Sequence, residues 1–96
     1  MKKTFTAAIF ALALTVSVGA SAQGYVFNNN LTVGSRGADV TALQNALAAS
    51  GYFTATPTGY FGGLTKAAVQ AFQRANSITP VSGYFGPLTR AVMNSG

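Results

Sequence analysis

From residue 31 onward the apolar positions fall into two clear helical stretches and a shorter third. Val40, Leu43 and Leu47 stand at i, i+3 and i+7, with Gln44 and Ala48 beside them, a spacing that gathers side chains on one face of an α-helix. Asp39 falls in the first turn of that helix, where the helix dipole favours an anion, and Gly51 is placed to end it as a left-handed cap. A second helix is predicted from about Gly63 to Ala75, with Leu64, Ala68, Val69 and Phe72 inward, Lys66, Gln70, Gln73 and Arg74 toward the rim, and Asn76 closing it. Ile78 and Val81 anchor a short connection holding Pro80, and a third helix of about two turns then starts at Pro87 and ends near Met93 or Asn94. Ahead of the first helix, Leu31-Thr32-Val33 followed by Gly34-Ser35-Arg36-Gly37 reads as a short extended piece entering a tight turn. The pattern predicts an all-α fold, a small three-helix bundle with turn-rich connections.

The segment ahead of the second helix recurs ahead of the third. Thr58-Gly59-Tyr60-Phe61-Gly62-Gly63-Leu64-Thr65-Lys66-Ala67 returns 24 residues later as Ser82-Gly83-Tyr84-Phe85-Gly86-Pro87-Leu88-Thr89-Arg90-Ala91, with seven identities and two conservative exchanges. Each copy reads as a turn that breaks into a helix. Gly59 and Gly83 supply the backbone freedom of the turn, and Gly62 and Gly86 stand where a helix cap belongs. Thr65 and Thr89 can return a hydroxyl to the entry turn. Neighbouring turn residues seldom both point inward, so Phe61 and Phe85 are expected inside and Tyr60 and Tyr84 at least partly outside.

The first residues change the picture of where this domain works. Residues 1–22 have the three parts of a secretory signal: Lys2 and Lys3, an apolar run from Phe5 to Val18, and the small-residue site Ala20-Ser21-Ala22. That run is shorter than the roughly 20 residues needed to span a bilayer, so export without stable membrane insertion after cleavage is expected. Residues 23–30, with Asn28, Asn29 and Asn30 in a row, read as a polar linker in which Tyr25, Val26 and Phe27 are still able to pack, and residues 31–96 as the domain. The expected location is the periplasm, the cell wall or the extracellular space. Beyond residue 22 the charges are Arg36, Lys66, Arg74 and Arg90 against Asp39, a net of +3. In an exported chain that balance suits an anionic envelope polymer, a lipid head-group surface or the carboxylates of wall peptides better than nucleic acid. Four cations equally well serve only to keep a small domain soluble.

The residue inventory bears on chemistry. The chain has no histidine, no cysteine and a single acidic side chain, Asp39. Paired carboxylates for glycoside hydrolysis, a histidine-based nucleophilic triad and a three-ligand zinc site cannot be assembled from it, which points away from an enzyme and calls for no cofactor or metal. Binding remains. Tyr60 and Tyr84 can lie flat against sugar rings or peptide, or serve only to pack a small core. Lys66 and Arg90, at equivalent repeat positions near helix N-termini, can gather a carboxylate or phosphate, or simply solvate a helix face.

The run Leu31 to Val40, then Leu43-Gln44, Leu47, Gly51-Tyr52, Gly59-Tyr60-Phe61-Gly62 with Thr65, Ala68-Val69, Phe72-Gln73, and finally Gly83-Tyr84-Phe85-Gly86-Pro87 with Thr89, resembles the peptidoglycan-binding domain attached to bacterial cell-wall hydrolases. The resemblance covers Leu31 to about Met93. It implies a three-helix fold, bacterial origin, and a role in holding proteins on the wall without cleaving it, with a separate cell-wall enzyme as a candidate partner. It also implies an aspartate before the glycine of each turn, where this chain has Thr58 and Ser82; hydroxyls make the same local bonds, while a ligand role for that aspartate does not carry over. The expected function is an exported, non-catalytic module binding peptidoglycan, glycan or stem peptide, through Arg36, Tyr60, Lys66, Tyr84 and Arg90. The second reading is an envelope protein–protein interaction or structural domain with the same fold.

Overall fold

The computed structural model describes residues 25–95, so the expected signal segment lies outside the described residues. Three helices follow one another: α1 (Ala38–Ala49), α2 (Gly63–Ala75) and α3 (Pro87–Ser95). Two isolated antiparallel bridges, Leu31 with Phe85 and Arg36 with Tyr60, are the only β pairing among the described residues. The segment ahead of α1 therefore runs across both repeat turns and ties them together. Leu31 exchanges both backbone bonds with Phe85, while the Gly34, Phe61 and Gly37 amides bond the Phe61, Ser35 and Gly59 carbonyls, all at 2.9 Å.

Helix ends match their sequence signals. Gly51, at φ 88°, gives its amide to Ala48 while Tyr52 reaches back to Leu47, which closes the last turn of α1. The end of α2 repeats this geometry after its cap Asn76, with Ser77 bonding Arg74 and Ile78 bonding Gln73. Here the left-handed position, at φ 57°, is held by Ser77, which carries a Cβ that glycine would not.

The core is built from Val40, Leu43 and Leu47 of α1, Ala68, Val69 and Phe72 of α2, and Phe61 and Phe85 of the two turns. Both phenylalanines are fully buried, each contributing about 2–3 kcal/mol of transfer free energy. On α2 the inward stripe is Thr65, Ala68, Val69, Phe72 and Gln73, a helical i, i+3, i+4, i+7, i+8 set. Two expectations are corrected by this phase. Leu64, one residue ahead of the stripe, turns outward and is 69% exposed, and Gln73, expected at the rim, is buried. Ala48 of α1 is likewise exposed.

The residues ahead of Leu31 also find partners. Tyr25 to Asn30 is packed onto the domain, with Phe27 only 3% exposed and its ring edge-on to Phe85 at 5.2 Å. Asn94 accepts from the Phe27 amide at 2.8 Å and donates to its carbonyl at 3.0 Å, so one side chain satisfies both backbone groups. Asn30 accepts from Arg90 Nε at 2.8 Å, and Asn29 donates to Asp39 at 2.9 Å. The physical reason is the shortness of α3, which buries only Thr89 fully and leaves Phe85 needing cover that Phe27 supplies. Tyr25 completes this arm by donating its hydroxyl to Asp39.

Two outcomes are expected. Ser77→Gly should raise the melting temperature by about 2–5 °C, because it removes left-handed strain worth about 1–2 kcal/mol against glycine's extra chain entropy; thermal unfolding followed by circular dichroism reads it. Bonds from Tyr25 and Asn29 hold the Asp39 carboxyl below its usual 3.8. The stability it lends is full above that ordinary value and is lost as pH falls through the lowered one. The Tyr25 hydroxyl is pushed above its usual 10.0 by the same bond, so its share is lost only as pH rises through that raised value. Asp39→Asn should flatten the acid limb, measured as Tyr25 ring chemical shifts between about pH 5 and 2.

Candidate functional site

Each repeat turn is clamped by a buried glutamine from the preceding helix. Gln44 of α1 donates to the Tyr60 carbonyl and to Thr65 Oγ1, both at 3.0 Å, and accepts from the amides of Thr58 at 2.9 Å and Gly59 at 3.0 Å. Gln73 of α2 makes three of these four bonds one repeat later, the Ser82 amide going to the Pro80 carbonyl instead. It donates to the Tyr84 carbonyl at 3.0 Å and Thr89 Oγ1 at 3.1 Å, and accepts from Gly83 at 2.9 Å. The threonines three residues past Gly62 and Gly86 thus bond the glutamine clamp, not the bare helix end. No buried side-chain polar atom is left without a partner among the described residues.

The turn itself closes through a hydroxyl. Thr58 Oγ1 accepts from the Tyr60 amide at 3.2 Å and Ser82 Oγ from the Tyr84 amide at 3.1 Å, the local bond that an aspartate would otherwise make. Gly59 and Gly83 both sit at φ 82°, and a Cβ on Gly83 would come within 2.5 Å of the Lys66 side chain. Gly62 has a different reason to be glycine. Its φ is an ordinary −107° and it makes no side-chain cap, yet a Cβ there would meet the Tyr60 ring at 3.2 Å; on Gly86 the Tyr84 ring would be met at 2.5 Å. Both tyrosine rings therefore fold back over the glycine two residues on.

Two grooves result. The first, of about 210 Å³, runs beside Tyr60, Gly62, Gly63 and Leu64 with Gln44 and Thr65 beneath and Phe53, Ala55 and Thr56 opposite. The second, of about 140 Å³, runs beside Tyr84, Gly86, Pro87 and Leu88 with Gln73 and Thr89 beneath and Ile78 to Pro80 opposite. Tyr60 and Tyr84 are 40% and 43% exposed, as expected of them, while Leu64 and Leu88 stand out at 69% and 66%.

The sequence-predicted cations are placed unequally. Arg36 faces Tyr60 across their bridge, its guanidinium carbon 4.4 Å from the ring centroid, in cation–π contact. Lys66 is exposed on α2 with its stem against Gly83, beside the second turn. Arg90 is half-buried and engaged by Asn30 and, at 3.5 Å, by the Phe27 carbonyl, so its guanidinium holds the arm. The structure pairs Arg36 with Tyr60 and brings Lys66 to the turn that carries Tyr84; Arg90 it sends to the arm.

A family model described as "Putative peptidoglycan binding domain" matches residues 36–93. The chain belongs to that family. The matched stretch takes in α1, both turns, both glutamine clamps and most of α3, and leaves Tyr25 to Ser35 outside it. Among solved structures, "The crystal structure of SleB N-terminal domain" is similar at 31% identity and a TM-score of 0.68, covering 74% of this chain and 96% of that one. No curated protein matches the chain. The fold is thus the peptidoglycan-binding-domain fold, and the module is of a binding type.

Reading by face and rim misplaces Gln73, and it puts Gln44 on the inward face without showing that it clamps a turn. A signal for them was present, since Val40-x-x-Leu43-Gln44 recurs as Val69-x-x-Phe72-Gln73, each glutamine directly after a large core residue. Gln73→Leu leaves the Gly83 amide and the Tyr84 carbonyl without their buried partners and is expected to cost about 2–4 kcal/mol, with Gln44→Leu similar. Urea unfolding of the two variants checks it.

Proposed function

We propose that this chain is an exported, non-catalytic module that holds onto bacterial peptidoglycan through the face carrying the two repeat turns. Family membership across residues 36–93 carries the reading, because the matched stretch contains both turns and every candidate contact residue. Arg36, Tyr60, Lys66 and Tyr84 are the proposed ligand contacts, with Arg90 acting through the arm it holds.

The chemistry of the face supports binding without turnover. The one acidic side chain, Asp39, accepts from Tyr25 and Asn29 and has an ordinary structural use. The tyrosine rings offer flat apolar faces with a hydroxyl at one edge, suited to sugar or peptide. Arg36 and Lys66 add positive charge close to those rings, suited to the carboxylates of stem peptides. Residues 1–22 supply the export signal in this reading, and among the described residues no helix is long and apolar enough to cross a membrane.

Co-sedimentation with purified sacculi tests the proposal. The protein is expected to pellet with the sacculi at low salt, and Tyr60→Ala with Tyr84→Ala to weaken binding about 10-fold or more. Protein that stays in the supernatant sinks wall binding. A single recurrent protein adduct on cross-linking in cells, without sacculus binding, favours a protein partner in its place.

A further inference from the structure

The two grooves follow one plan, with different residues opposite each tyrosine and with Arg36 stacked on Tyr60 in the first. Tyrosine, glycine, an exposed leucine and a threonine stand in the same order along each, and each rests on a glutamine whose polar atoms are used by its own turn. Such a floor is fully satisfied, so an occupant displaces nothing from it. The exposed leucines sit in the first turn of their helices, at the lip of the groove, where nothing in the bundle covers them. Leu64 and Leu88 are not scattered side chains, since each lines the groove of its own exposed tyrosine and extends the apolar surface there.

We infer that the two grooves are a duplicated pair of sugar-binding sites, each taking an N-acetylated sugar of the glycan strand. This rests on the peptidoglycan-binding reading and names the part of the polymer touched. Neither groove is lined by a charged side chain. Arg36 is stacked on Tyr60, Lys66 lies by Gly83, and Arg90 is tied to the arm. An uncharged groove with a tyrosine wall and an apolar lip complements a neutral pyranose ring and the methyl of its acetamido group. A stem peptide bearing free carboxylates is complemented by the cations outside the grooves instead. Gly62 and Gly86 serve this site directly, since they let each tyrosine ring lie back over the backbone and hold its face in place. Holding one polymer at two points raises its apparent affinity well above that of either groove alone.

Amide chemical shifts of the isotope-labelled protein, titrated with a neutral tetramer of β-1,4-linked N-acetylglucosamine and separately with a free stem tetrapeptide, test the inference. The sugar is expected to move two sets of resonances, those of Gly62 to Leu64 and those of Gly86 to Leu88, and the peptide, drawn to Arg36 and Lys66, to move neither set. Leu64→Asn and Leu88→Asn, both at exposed positions, should each silence one set and leave the other. Either variant should lower sacculus affinity about 10-fold or more, because two-point attachment is lost. Gly86→Ala should displace the Tyr84 ring and silence the second set alone. Response in only one groove, response to peptide in place of sugar, or no response to the sugar by a protein that still pellets with sacculi overturns the inference and leaves wall binding standing. A protein that does not pellet at all overturns the underlying reading instead.

Discussion

Two buried glutamines, Gln44 and Gln73, hold this molecule's turns to its helices. A turn that changes direction at a left-handed glycine exposes backbone amides and carbonyls, and burying them without partners would cost about 1–3 kcal/mol each. Each glutamine meets acceptor with donor and donor with acceptor on the same turn, then bonds the threonine that begins the next helix. Helix, turn and next helix become one unit. Because α2 receives the first turn at its N-terminal end and clamps the second with Gln73, it belongs to both units, and the bundle is two overlapping copies of one device.

That device places the candidate binding surface. With the turn backbone held from below, Phe61 and Phe85 enter the core, and the adjacent Tyr60 and Tyr84 face outward over Gly62 and Gly86. The segment ahead of α1 then bridges both turns, Leu31 to Phe85 and Arg36 to Tyr60, which fixes the two grooves within one rigid arrangement without a disulfide. The arm from Tyr25 to Asn30 extends the same logic to the shortest helix. Its Phe27 covers Phe85, and its asparagines bond side chains from α1 and α3.

The few charges divide between structure and surface. Asp39 and Arg90 spend their hydrogen bonds on the arm, whereas Arg36 stays against Tyr60 and Lys66 beside Gly83 of the second turn. Repeat-equivalent residues therefore differ in use: Lys66 is exposed and Arg90 is half-buried, because the arm lies on α3 and not on α2. A sequence repeat reports shared local geometry, and the neighbours that decide availability come from elsewhere in the chain.

What the sequence determined by itself was local. Three helices, their approximate ends, the left-handed glycine of α1, the inward phenylalanines and outward tyrosines were all legible, because each depends on periodicity, backbone sterics and neighbours a few residues away. Family character was legible too, in the spacing of the turn motifs. The tertiary structure decided the rest. It sent Leu64 outward and Gln73 inward, since a shift of one residue rotates a helix face by about 100° and only packing selects the phase. It turned a run of asparagines that read as a linker into a bonded arm, because those side chains find partners 10 and 60 residues away. It also joined each turn with the connection opposite to make a groove, an arrangement of segments that no local pattern encodes.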